Sequence, residues 1–337
     1  MDQAKISVII VNYATKGLIE KCISNLLKVY ENIEVLFIDN DSPDGSADLV
    51  KELYSNNPKV TLIQCPNNGQ PYAYNKALDI AKGKYVLYLG TDAFPTSESL
   101  IEMTKYLDEN PKVGAVSPHL YLRDGSSDVD AHRGFPTPWT SITHMLGLSK
   151  LFPNSKLFNG YFMSYLGLDS RHKIDACITH CMMVKREVQD KIGRWDEDYF
   201  IFGEDIDFCY KLSQLGYEIH YLGNVKVLHY KGATVGRDTA SDIDNIINTD
   251  FGSATFGGEK IISKPQEINP NAKKQKMSST ARWMKIKITK EKTRAMRLFY
   301  KKHYDKKYPK ILNRLVLVGI SCAEFIKVGK VILKSYF

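Results

Sequence analysis

Apolar residues run unbroken through Ile6–Val11 (ISVIIV) and again through Tyr85–Leu89 (YVLYL), each run ending in a polar or turn-forming residue. Strands buried on both faces read this way, as parallel strands covered by helices do. Between these runs the period changes to helical spacing, from Lys16 to Val29 and from Ser46 to Tyr54 after the turn Ser42-Pro43-Asp44-Gly45. Shorter strands are expected at Glu34–Ile38, Val60–Gln64 and Val113–Ser117, and a further helix at Ser97–Asp108. Pro71 suits the first turn of a helix that Gly83 would end. This alternation predicts an α/β domain with a mostly parallel sheet flanked by helices on both faces.

The pattern lapses over residues 123–175, where Arg123, Gly125, Pro136, Pro138 and Pro153 lie among many aromatics. The stretch reads as a long mobile segment with short helices, of the kind that covers a site. Order resumes at Ala176–Val184; a helix is expected from Glu204 to Leu215, and Glu218–Leu222 and Lys226–His229 read as paired strands. Residues 236–280, rich in Asp, Asn, Ser and Gly, read as a linker or flexible loop, and no internal repeat is present.

Composition narrows the class. With 43% hydrophobic and 25% charged residues, the 337-residue chain can build an ordinary core. MDQAKIS enters an apolar strand without a basic stretch and apolar signal region, so a cytosolic chain is expected. The six cysteines sit mainly in apolar runs and read as reduced core thiols. Cys177, His180 and Cys181 have metal-like spacing, but no second ligand pair follows, which disfavours zinc.

The net charge of +8 is unevenly spread: residues 273–337 hold nineteen Lys/Arg against Glu291, Asp305 and Glu324, leaving the remainder acidic. Twelve of those cations, from Arg282 to Lys310, are spaced among apolar residues, so residues 281–337 read as a basic amphipathic helical tail. Its longest uncharged run, Leu315–Ala323, is nine residues, too short to cross a bilayer. Such a tail suits an anionic membrane surface, an acidic face of its own domain, or a second subunit in a homo-oligomer. No nucleic-acid-binding module accompanies the charge, and nucleic acid is not expected as a partner.

Six carboxylates crowd Gly193–Asp207 (GRWDEDYFIFGEDID), interleaved with Trp195, Tyr199, Phe200 and Phe202. Aromatics imply a partly buried wall, where a carboxylate needs a partner or a task. Asp205 opens a helix, whose N-terminal dipole favours an ionised carboxylate fit to act as a general base. Glu204 and Asp207 would support that carboxylate or cap the helix, and Trp195 and Tyr199 would pack in the wall. Asn12, Asp39 and Asp92 each follow an apolar strand, where open α/β sheets place ligands. Neither a G-x-G-x-x-G nor a G-x-x-x-x-G-K-[ST] loop is present, so a phosphate ligand would need a carboxylate-held divalent metal.

In order along the chain, VIIVNY, FIDNDSPDGS, PNNGQPYAYNKALDIAKGKYVLYLGTDAFP, KIGRWDEDYFIFGEDIDFC and VLHYKGAT resemble the motifs of family 2 glycosyltransferases, inverting enzymes of the GT-A fold. The bacterial rhamnosyltransferase-like members are the most similar, and the match spans about residues 5–235, so residues 1–235 would be the catalytic domain. The resemblance implies a donor pocket for a dTDP- or UDP-linked sugar lined by Asn12, Tyr13, Asp39, Asn68, Gly69, Asn75, Thr91 and Asp92. It implies Mg²⁺ or Mn²⁺ on Asp92 and His229, although the usual Asp-x-Asp is reduced to Gly90-Thr91-Asp92. Asp205 matches the base; Trp195, Tyr199 and Glu204 would contact the acceptor, with 123–175 on the acceptor side. A lipid-linked surface glycan as acceptor would place the enzyme on the inner face of the cell membrane. A nucleotidyltransferase of similar fold and a non-catalytic glycan-binding relative are the rival readings.

Overall fold

The structure, a computed structural model, describes residues 5–122, 125–230 and 279–333. The expected linker 236–280 therefore lies almost wholly outside the described residues. Strands β1 (Ile6–Asn12), β2 (Ile33–Asp39), β3 (Val60–Gln64) and β4 (Tyr85–Leu89) lie in the parallel order β3-β2-β1-β4. Helices α1 (Lys16–Val29), α2 (Ser46–Tyr54) and α3 (Gln70–Leu78) connect them. Alternation within β1 explains why the run is apolar throughout: Ile6, Val8 and Ile10 face one buried cluster and Ile9 the other.

Beyond β4 the sheet becomes mixed. β8 (Cys181–Lys185) runs antiparallel between β4 and β6 (Val113–Tyr121), and β9 (Glu218–His229) pairs parallel with β6. β5 (Ala93–Phe94) and β7 (Arg171–Ile174) pair antiparallel with β9. The mostly parallel sheet expected is thus present, with antiparallel pairs added beyond β4. β8 reverses because it follows the irregular stretch before it rather than a single crossover helix. Helix α4 (Ser97–Glu109) covers one face, with α1 and α2; α7 (Arg186–Ile192) and α8 (Glu204–Gln214) cover the other, with α3.

Several boundaries differ from expectation. The two strands expected at Glu218–Leu222 and Lys226–His229 are one strand, because an irregularity opposite Pro118 and His119 absorbs the intervening turn residues. Helix α3 stops at Leu78, before Gly83. Gly83 instead lies against β1, where a Cβ would meet Ser7 N at 2.4 Å and its own N–H donates to Ser7 Oγ at 2.7 Å. Residues 125–175 carry α5 (Pro138–Met145) and α6 (Leu148–Leu151), the short helices expected there, and also β7, which was not foreseen.

The basic tail forms α9 (Ser279–Phe299), a π-helical turn (Tyr300–Tyr304) and α10 (Lys310–Leu333). Phe299, Tyr300, Tyr304, Val316 and Ile320 are buried in the core cluster of the α8 face. Of the surfaces open to the tail, its own acidic domain is one that it meets: Lys302 Nζ pairs with Asp196 at 2.5 Å and Asp198 at 2.6 Å, and Arg294 donates to the Asp198 carbonyl at 3.1 Å. No helix among the described residues is long and apolar enough to cross a membrane.

Candidate active site

Three strands deliver polar residues to one crease. Asn12 and Asp39 end β1 and β2 in register, and Asn12 Nδ2 donates to Asp39 Oδ1 at 3.0 Å and to Ser42 Oγ at 2.9 Å. Asp39 Oδ2 accepts from the Ser42 N–H at 3.1 Å. The Thr15 hydroxyl donates to Asn12 Oδ1 and lies 3.1 Å from Thr91 Oγ1. A continuous polar chain therefore links Asp39 to the residue before Asp92. Tyr13 stands half exposed at its rim, Asn68 is exposed, and Gly69 lies against the backbone of Phe200, whose carbonyl accepts from the Gln70 N–H at 2.8 Å.

Sheet register assembles a second cluster beside the first. Ala93 pairs with His229, and the Tyr230 N–H donates to the Asp92 carbonyl at 2.8 Å, which sets Asp92 next to His229. Leu89 pairs with Cys181, and the Gly90 N–H donates to the His180 carbonyl at 3.1 Å, which brings in His180. Gly90 is required by this approach: a Cβ there would meet Asp92 Oδ1 at 2.8 Å and His180 Cδ2 at 3.0 Å. One donor atom from each of Asp92, His180 and His229 lies within 4.8 Å of the others. Both Asp92 oxygens, His180 Nδ1 and His229 Nε2 are buried without a hydrogen bond, with His229 Nε2 and Asp92 Oδ1 3.6 Å apart, an arrangement that a bound cation would satisfy. His229 Nδ1 contacts Asp128 Oδ2 at 2.8 Å, the carboxylate support that metal-binding histidines commonly have. Burial alone would lower the His229 pKa; Asp128 and Asp92 overcome it and push the imidazole up to about 9. His180 moves down, first through burial and then through its neighbour His229, against the opposing pull of Asp92, Asp128 and Asp205. The cysteines flanking His180 take no part: Cys177 and Cys181 are fully buried in the two cores.

Asp205 sits in the first turn of α8. Its Oδ1 accepts from the Ile206 N–H at 2.8 Å, and its Oδ2 pairs with Arg133 Nη2 at 2.5 Å, with both side chains almost wholly buried. Arg133 is fixed in turn by backbone hydrogen bonds to Ala176 at 3.0 and 2.8 Å. The adjacent Glu204 is buried with Oε2 unpartnered; burial first, then the charge of Asp205, pushes its pKa well above the ordinary carboxylate range.

Three expected contacts are corrected by packing. Trp195 is buried, stacked on Phe208 at 4.4 Å, with its indole N–H donating to Tyr88 Oη at 2.8 Å; neither ring face is open to a sugar. Tyr199 is fully buried under Lys302 and belongs to the wall. Asn75 is also buried, its amide clamping the Trp195 backbone (Nδ2 to O at 3.0 Å, Oδ1 from N at 2.9 Å), so it shapes the wall rather than facing a donor. Asp207 is structural, bound to His303 at 2.6 Å and Lys211 at 2.7 Å. Sequence reasoning missed Arg133 and Asp128, and, having set aside a site with Cys177 and Cys181, gave His180 no role.

Residues 7–193 match the family model described as Glycosyl transferase family 2. The N-acetylglucosaminyl-diphospho-decaprenol L-rhamnosyltransferase of Mycobacterium tuberculosis is 26% identical over 249 residues, 70% of this chain and 79% of that protein. The poly-beta-1,6-N-acetyl-D-glucosamine synthase of Staphylococcus aureus is 26% identical over 62% of this chain, which spans less than half, 46%, of that protein. Among solved structures, the mannosyltransferase PcManGT of Pyrobaculum calidifontis, in complex with GDP-Man and Mn²⁺, aligns with a TM-score of 0.53 at 17% identity, covering 99% of this chain and 74% of its own. GalNAc-T7 with UDP, GalNAc and Mn²⁺ aligns at 0.51 and 15% identity, covering 69% and 46%. These structures share the GT-A fold. The nucleotidyltransferase and non-catalytic readings give way: the chain belongs to glycosyl transferase family 2 and is a glycosyltransferase.

Proposed function

We propose that this enzyme transfers a sugar, with inversion, from a pyrimidine nucleoside diphosphate donor to a hydroxyl of a lipid-linked glycan at the inner face of the cell membrane. Rhamnose is the favoured sugar, because the relative matched over most of both chains is named an L-rhamnosyltransferase. Asp39, Asn12, Tyr13, Asn68, Gly69 and Thr91 surround the nucleotide. Asp92, His180 and His229 would hold the divalent ion, and two imidazoles beside one carboxylate favour Mn²⁺ over the oxygen-seeking Mg²⁺. Bound there, the ion would neutralise the charge that grows on the departing diphosphate.

The chain then needs one base and no acid. The Asp205 carboxylate takes the proton of the acceptor hydroxyl while that oxygen forms its bond to the anomeric carbon; the bond to the diphosphate breaks on the opposite face, and the diphosphate leaves with the electron pair. Arg133 fixes the orientation of the base, and protonated Glu204 is free to donate a hydrogen bond to the acceptor. The observation that carries the reading is the convergence of buried donor atoms on Asp92, His180 and His229 within 4.8 Å of one another, none of them satisfied by a hydrogen bond. Incubating the enzyme with dTDP-rhamnose and a panel of UDP-hexoses, with Mn²⁺ or with a chelator, tests it. Metal-dependent transfer to a lipid-linked acceptor is expected; transfer unaffected by the chelator, or observed only from purine donors, would overturn it.

A further inference from the structure

We infer that α10 and the α5–α6 segment form a surface that docks on an anionic lipid bilayer, lying in its plane. Leu315, Val318 and Phe325 project from α10, Phe325 with 82% of its surface exposed, and Leu146, Leu151 and Phe152 project from the α5–α6 segment, Leu151 at 71%. The two patches meet where Gly319 lies against Met145, next to Val318; a Cβ at Gly319 would be 2.9 Å from Met145 Cε. Among the described residues nothing covers this face.

Charge decides what would cover it. Residues 134–168 contain no Asp or Glu, and Lys150 and Lys156 stand exposed beside the apolar side chains. In α10, Arg314, Lys327 and Lys330 are exposed, while the one acid, Glu324, is turned inward to Arg297 at 2.6 Å and Thr293 at 2.7 Å. A second copy meeting this face through a two-fold axis would set like charges against each other. Anionic headgroups complement the cations, and the apolar side chains reach the acyl boundary between them. Unlike the side of the tail that pairs with Asp196 and Asp198, this side has its charge left over for an external surface. The same segment roots at Arg133, the partner of Asp205, so the membrane face and the acceptor side of the site share one piece of chain. The inference deepens the reading of a lipid-linked acceptor by naming the surface that reaches it.

Co-sedimentation of the full chain with vesicles tests this without reference to turnover, so its failure and the failure of the transfer reaction are separable. Binding is expected to vesicles of equimolar phosphatidylcholine and phosphatidylglycerol, weakened by salt, with little on phosphatidylcholine alone. The pairs Leu146→Ser/Phe325→Ser and Lys327→Glu/Lys330→Glu should each weaken it by about tenfold or more. These side chains are exposed, and an unchanged melting temperature would confirm that the variants fold. Three results would overturn the inference: no vesicle binding by the wild type, binding that both pairs leave intact, or a concentration-dependent dimer that the Phe325 variant dissolves while vesicles are ignored.

Discussion

The six carboxylates of Gly193–Asp207 divide into two sets with opposite environments. Asp196, Glu197, Asp198 and Asp207 have specific partners: Lys302 and Lys211 for Asp196, the Asn75 amide for Glu197, Lys302 for Asp198, and His303 with Lys211 for Asp207. Glu204 and Asp205 face inward, one unpartnered at Oε2 and holding its proton, the other steered by a single arginine from a distant segment. Charge density within a motif therefore does not mark catalytic residues. Three of the six, Asp196, Asp198 and Asp207, fasten the tail to the domain, and the pair proposed for chemistry, Glu204 and Asp205, has no ion pair to the tail among the described residues.

Substitutions should separate the two sets. Asp205→Asn is expected to lower kcat by about 10²–10⁴-fold while donor binding survives, since a positioned base contributes on that scale. Transfer within tenfold of wild type would remove Asp205 from the mechanism. Asp207→Ala should leave kcat nearly unchanged at low temperature but cost about 2–3 kcal/mol of stability in denaturant unfolding, because it strands His303 and Lys211 beside an emptied site. The outer pair matters less: Asp196→Asn should cost about 1 kcal/mol or less, as partly exposed ion pairs do.

The Asp92, His180 and His229 cluster offers a finer contrast. Asp128→Asn keeps the shape of the His229 support and removes its charge, so the Mn²⁺ concentration for half-maximal activity should rise about 10–100-fold. An unchanged midpoint would make Asp128 merely a turn residue. The smallest effect concerns pH. Glu204 keeps its proton in the fold above the ordinary glutamate value of 4.5, whereas the unfolded chain releases it there. Stability should therefore fall as pH rises from that value towards the raised folded one, with no such penalty below it. Glu204→Gln should flatten this slope in pH-dependent thermal melts, and an identical slope in the variant would contradict the assignment.

Legibility in the sequence followed the range of the contacts. The buried strands and the polar residues ending them could be read because each lies within a few residues of its own signal: Asn12, Asp39 and Asp92 needed only the run before them. Arg133 and Asp128 could not, since each acts on a side chain more than seventy positions away and sits where hydrophobic periodicity is lost. His180 was visible but left without a role: the cluster with its neighbouring cysteines was disfavoured, as their burial on opposite faces of the sheet agrees, and its approach to Asp92 and His229 depends on sheet register. Trp195 and Tyr199 were misread because an aromatic beside an acid looks the same whether it lines a site or supports the wall behind it. The tail's charge was plain, but which of its sides met the domain depended on the positions of Asp196 and Asp198.

The most direct test is calorimetric binding of dTDP and UDP with and without Mn²⁺, for wild type, Asp92→Asn and His180→Ala. Ligands that bind the folded state stabilise it according to affinity, so melting temperatures give a second reading. The expected result is pyrimidine diphosphate binding that strengthens sharply with Mn²⁺ in the wild type and loses that dependence in both variants. Binding equally tight without metal, or a Mn²⁺ effect that both variants retain, would contradict the central claim that these side chains hold the cation under the diphosphate.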